Sequence, residues 1–141
     1  MSLNCIIDTN VILRFLLQDH SDHSPKANAF FQQLEREEVI GEIPEPVVFE
    51  VIFTLDRHYK LPRPEIVTLL ESVLANNGVV FSQQDRFEQA LSLYQSQPGL
   101  SIVDCYLAIE AVESGISNVA SFDRRIGRVP GVTRFDPPAR L

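Results

Sequence analysis

Four carboxylates stand out as the side chains in this sequence that are set up for chemistry. Most of the 19 acidic residues lie in plainly polar surroundings. Asp8 instead follows the apolar run Cys5-Ile6-Ile7 directly. Glu50 stands inside Val47-Val48-Phe49-Glu50-Val51-Ile52-Phe53. Asp104 lies between Val103 and Cys105, and Asp123 follows Val119-Ala120-Ser121-Phe122. An ionised carboxylate among apolar residues is costly unless it is paired or bound to a cation. Burial alone raises its pKa, and a bound cation reverses that. The set therefore points to cation binding. Each member also has a plainer structural role open to it. Asp8 and Asp123 can cap the turns that follow them. Ser101-x-x-Asp104 fits a capping box. Glu50 can occupy the wet face of a helix. Asn10 fits a first-turn residue that orients Asp8, and Ser121 a hydroxyl that satisfies local backbone.

Alternating strands and helices must position these residues. Cys5–Ile7 reads as a strand buried on both faces. Asp8-Thr9-Asn10 opens a helix carrying Val11, Ile12, Phe15 and Leu16. Ser24-Pro25 reads as an N-cap with Pro at the first helical position. Val39–Ile43 is a second strand. Pro44 and Pro46 lead into a helix to about His58, and Glu65–Asn76 forms another, stopped by Asn77-Gly78. Val79–Phe81 is a third strand, Arg86–Gln95 a helix, and Ser101–Glu113 a helix ending at Gly115. Asn118–Ser121 is a fourth strand, Asp123–Ile126 a helical turn, and Val132–Phe135 a possible edge strand. This pattern predicts an α/β fold with a mostly parallel sheet. In such sheets function sits beyond the carboxyl ends of the strands, where Asp8 and Asp123 both fall and could converge.

Composition narrows the classes further. A chain of 141 residues with 45% hydrophobic and 22% charged residues fits one soluble domain. Two cysteines are too few for a disulfide framework or a cysteine zinc site. Cys5 and Cys105 are expected as buried, reduced thiols, which suits a reducing compartment. No apolar stretch reaches the length of a membrane span, and the N-terminus has no secretory pattern. His20, His23 and His58 show no ligand spacing.

Taken in order, Ile7-Asp8-Thr9-Asn10-Val11, Phe49-Glu50-Val51, Ile102-Val103-Asp104-Cys105-Tyr106-Leu107-Ala108 and Ser121-Phe122-Asp123-Arg124 resemble a PIN domain. In particular they resemble the VapC-type toxin ribonucleases of toxin–antitoxin pairs. The likeness runs from Asp8 to about Val132. It implies a single PIN-like domain over 1–141, a three-layer α/β/α sandwich with a mostly parallel central sheet. It implies that Asp8, Glu50, Asp104 and Asp123 are catalytic and bind one or two Mg²⁺ or Mn²⁺ ions. By the same likeness Asn10 is a polar neighbour of the first acid. Ser121 stands where Thr is commoner, and Ala108 stands where some members carry a further acid.

The chemistry implied is metal-dependent hydrolysis of RNA phosphodiester bonds. It needs a hydroxide near neutral pH and neutralised phosphate charge, and hard divalent cations on oxygen ligands supply both. Asp8, Asp104 and Asp123 are expected as direct or water-mediated ligands, and Glu50 as a ligand or as the group that holds or deprotonates the attacking water. Arg14, Arg124 and Arg125 are candidates for holding the RNA backbone. The likeness also implies an RNA substrate, a small VapB-like antitoxin, a homodimer and a cytoplasmic location without membrane. Two alternatives stand beside it. A PIN-like fold can bind RNA or a partner without cleaving it. A phosphoacceptor Asp phosphatase or receiver domain needs a late lysine, and the chain has only Lys26 and Lys60.

The net charge of −7 excludes a bulk phosphate binder. Its distribution matters more. Residues 121–141 carry five arginines against Asp123 and Asp136, a local +3 that leaves −10 on the rest. RNA binding is thus expected to depend on metal at the acids and on a basic C-terminal rim.

Overall fold

The computed structural model describes the backbone of residues 3–140 and the side chains of 4–140. The described residues form five β-strands, six α-helices and one 3-10 helix. They divide into two compact units, the first ending at Gln84 and the second beginning at Asp85.

The first unit holds β1 (Leu3–Ile6), α1 (Thr9–Leu17), α2 (His23–Glu35), β2 (Val39–Glu42), α3 (Glu45–Arg57), α4 (Arg63–Leu74) and β3 (Val79–Val80). Its sheet is wholly parallel in the order β1-β2-β3, with Cys5 opposite Gly41 and Gly41 opposite Val79. Parallel neighbours need a crossover, and helices supply it. The core is built from helical stripes such as Val48, Val51, Ile52 and Leu55 on α3 and Ile66, Leu70 and Val73 on α4. Phe15 stacks on Phe31 at 4.1 Å, joining α1 to α2. Gly78 is required where the chain enters β3. A Cβ there would lie 2.2 Å from the Leu34 carbonyl oxygen, a distance no side chain tolerates.

The second unit holds α5 (Gln84–Ser96, whose first residue closes the first unit), α6 (Ile102–Ser114), β4 (Asn118–Ala120), the 3-10 helix Arg124–Arg128 and β5 (Thr133–Phe135). β4 and β5 pair in parallel, Asn118 opposite Thr133, so the edge strand expected over Val132–Phe135 forms. Phe87 on α5 meets Tyr106 on α6, ring centroids 6.3 Å apart. Arg86 bridges the same helices through Glu113 at 2.9 Å and Glu110 at 3.5 Å. Gly115 ends α6 at φ +77°, the left-handed cap that glycine adopts without strain.

The α/β class and parallel pairing agree with the sequence reading, and three local expectations need correction. β1 is not buried on both faces: Ile6 is 71% exposed and Cys5 only half-buried, while Cys105 is buried as expected. β1 ends the order of the three-stranded sheet of the first unit. Ser24 is not the cap of α2, which starts one residue earlier, after Asp22. Its buried hydroxyl instead accepts from the His20 amide at 3.2 Å and donates to the Arg14 carbonyl at 2.8 Å. Glu50 is exposed rather than embedded. At 100° per residue it falls off the buried stripe and joins exposed Phe53 and Arg57 on the outer face of α3.

Candidate functional site

In the first unit the site is built on the junction of β1 and α1. The Ile7 amide donates to the Glu42 carbonyl at 2.9 Å, carrying the ladder one residue past the strand and burying Ile7. Asp8 follows in extended conformation, φ −82° and ψ 155°, at the N-cap position of α1. Its carbonyl accepts from the Ile12 amide at 3.5 Å, the first turn of the helix. Its side chain makes no cap hydrogen bond, so the plainer role open to Asp8 is not realised. The carboxylate is exposed.

Asp8 lines a cavity of about 490 Å³ with Asn10, Val11 and Arg14 of α1 and His23, Lys26 and Phe30 of α2. Asn10 is exposed, and among the described residues no hydrogen bond joins it to Asp8. The Arg14 guanidinium is paired with Asp19 at 3.1 Å, and Tyr59 donates to the other Asp19 oxygen at 3.3 Å. His23 and Lys26 were not singled out from the sequence. Their signal lay in its spacing, since 23, 26, 27 and 30 repeat on one helical face. Glu50 belongs to α3 and does not line this cavity.

In the second unit both aspartates fill the plainer roles as well. Ser101 and Asp104 form a reciprocal capping box on α6. The Asp104 amide donates to Ser101 Oγ at 3.1 Å, and the Ser101 amide donates to Asp104 Oδ2 at 3.2 Å. Asp104 is half-buried. Asp123 caps the 3-10 helix, accepting from the Arg125 amide at 2.9 Å. The Arg125 guanidinium grips the same carboxylate through Nε at 3.0 Å and Nη2 at 2.7 Å. That guanidinium, then the backbone amide, hold Asp123 down at a pKa of about 2. The Arg125 pKa is raised, first by Asp123 and to a smaller extent by the charge of Asp104. One arginine therefore senses both aspartates.

Ser121 does what its position suggested. Its hydroxyl accepts from the Asp123 amide at 3.1 Å. Its own amide donates to the Phe135 carbonyl at 3.1 Å, and its carbonyl accepts from Arg134 at 2.7 Å. Arg124 and Arg128 are exposed on the 3-10 helix. Within either unit, no three His, Cys, Asp or Glu side chains among the described residues are grouped to hold a metal ion.

The donor set nonetheless fits a hard cation in kind, because all four acids offer carboxylate oxygens. Asp104 and Asp123 are spent on caps, while the carboxylates of Asp8 and Glu50 are not. A cation on Asp123 would have to displace part of the Arg125 grip.

Comparison with known proteins gives these features a context. A curated protein of Aquifex aeolicus (strain VF5), a VapC ribonuclease, is 27% identical over 124 residues, which cover 88% of this chain and 90% of the relative. The family model for the PIN domain matches residues 5–132, a span that contains Asp8, Glu50, Asp104 and Asp123. The chain belongs to the PIN domain family.

Proposed function

We propose that this protein is a metal-dependent ribonuclease of the VapC type, the toxin of a toxin–antitoxin pair. The observation that carries the reading is Asp8. It is an exposed carboxylate at the carboxyl end of a parallel strand, in cap position and yet bound to no cap amide. Family membership over most of the chain and the likeness to a VapC ribonuclease support it.

In this reading Asp8, Asp104 and Asp123 would serve as metal ligands, directly or through water, and Glu50 as a further ligand or as the acceptor of the attacking water's proton. A bound Mg²⁺ or Mn²⁺ neutralises phosphate charge and makes a water more acidic. Arg125 is a positioning residue that aims the Asp123 carboxylate. Ser121 supports the last aspartate through its hydroxyl, and Asn10 lines the cavity beside the first. Arg14 and Arg124 meet the RNA backbone, Arg14 after release from Asp19. The same proposal includes a VapB-like antitoxin, a homodimer, a cytoplasmic location and one PIN domain formed by the whole chain. The family match, which runs through both units, supports the last point.

The test is direct. Asp8→Asn and Asp104→Asn should each abolish Mg²⁺- or Mn²⁺-dependent cleavage of single-stranded RNA, with circular dichroism unchanged. Cleavage at the wild-type rate by either purified variant would refute the assignment.

A further inference from the structure

Phe122 is 76% exposed, the most exposed of the large hydrophobic side chains among the described residues. It is not exposed because its loop is loose. Ser121 is held by its amide to Phe135, by its carbonyl to Arg134 and by its hydroxyl to the Asp123 amide. Asp123 is held by Arg125 on both amide and guanidinium. The ring thus stands between two anchored residues, directed to solvent by a backbone that has little freedom to withdraw it. Leaving a phenylalanine in water forfeits the stabilisation that burial would give. Ser121 precedes it and Asp123, Arg124 and Arg125 follow, so the ring is an exposed apolar face at the start of an arginine-rich segment.

That setting decides what the ring suits. Exposed Arg124 and Arg128 follow on the 3-10 helix, and Arg128 lies near enough for its charge to act on Asp123. An aromatic face interleaved with arginines is the chemistry that takes single-stranded nucleic acid: a base on the ring, phosphates on the guanidiniums. We propose that Phe122 stacks one unpaired base of the RNA beside the Asp123 carboxylate, with Arg124 and Arg128 holding flanking phosphates. This rests on the ribonuclease reading and adds to it a residue that grips an unpaired base. A duplex keeps its bases stacked on each other and offers none to the ring.

Because a stacked base is held equally before and during reaction, its loss should appear in KM and not in kcat. Phe122→Ala should raise KM for single-stranded RNA roughly 5- to 100-fold and leave kcat within about twofold. The chain contains no tryptophan and three tyrosines, so Phe122→Trp places a single tryptophan, excited selectively at long wavelength, on the platform. Its emission should be quenched by single-stranded RNA, with Ca²⁺ replacing Mg²⁺, and not by the same sequence as a duplex. Should Phe122→Ala fail to fold, the tryptophan variant decides alone. Unchanged KM in Phe122→Ala, or an unquenched tryptophan in a protein that cleaves RNA, would overturn the stacking role and leave the ribonuclease reading standing. Loss of association with a protein partner at unchanged KM would also overturn it, making Phe122 a protein-docking residue. A wild-type protein that neither binds nor cleaves RNA would overturn both.

Discussion

Asp8 and Asp123 are both aspartates placed after strands, but their local bonding differs. Asp8 caps nothing with its side chain, so Asp8→Ala should change folding stability by less than about 0.5 kcal/mol, read from denaturant unfolding. A loss above about 1 kcal/mol would mean that the carboxylate is structural. Asp123 is held by Arg125, which lowers its pKa from the ordinary 3.8 to about 2. The stabilisation from this pairing is present above pH 3.8 and is lost as pH falls toward 2. Arg125→Gln should let the Asp123 pKa climb back toward its ordinary value, as followed by carboxyl NMR titration. A carboxyl still titrating near 2 in that variant would show that the amide bond alone suffices.

Among the elements, α6 shows how one residue serves two ends. The capping box satisfies two amides that the helix leaves without partners. Ser101→Ala removes one of these bonds and should cost about 1 kcal/mol, seen as a lower thermal midpoint. An unchanged midpoint would mean that solvent replaces the cap freely. The box was legible in the sequence because its spacing is local. α3 was legible in extent but not in facing. Its seven-residue run Val47–Phe53 made Glu50 look enclosed, and only the rotation of the helix sets it outward with Phe53 and Arg57. The entry to α2 departs from the sequence expectation for a related reason. Ser24 has cap chemistry, yet its hydroxyl is spent on the backbone of His20 and Arg14, ten residues away in the second case.

For the whole molecule, charge sets the expectation. A chain at −7 repels RNA at long range, while the basic run from Arg124 to Arg140 attracts it. On the proposed reading, divalent cations on the carboxylates would offset the repulsion where phosphate must approach. Chelation with EDTA should therefore weaken binding of single-stranded RNA about tenfold or more, which is about 1.4 kcal/mol, measured by fluorescence anisotropy at fixed ionic strength. Equal affinity with and without EDTA would refute metal-dependent binding. The described residues include no helix long and apolar enough to cross a membrane, which agrees with the absence of an apolar stretch of that length in the sequence.

By itself the sequence determined the element order, the parallel α/β class, the capping box, the hydroxyl role of Ser121 and the family motifs. All of these are written in local spacing or in residue type, and spacing within one element survives folding unchanged. The tertiary structure alone decided which carboxylates are spent and which are not. Capping by Asp104, the Arg125 grip on Asp123 and the uncapped Asp8 depend on distances of tenths of an ångström. It alone turned Glu50 outward, exposed Ile6, gathered His23 and Lys26 around the Asp8 cavity and raised Phe122 on an anchored loop. Composition cannot encode those outcomes, because they follow from where separate segments and helix faces end up in space.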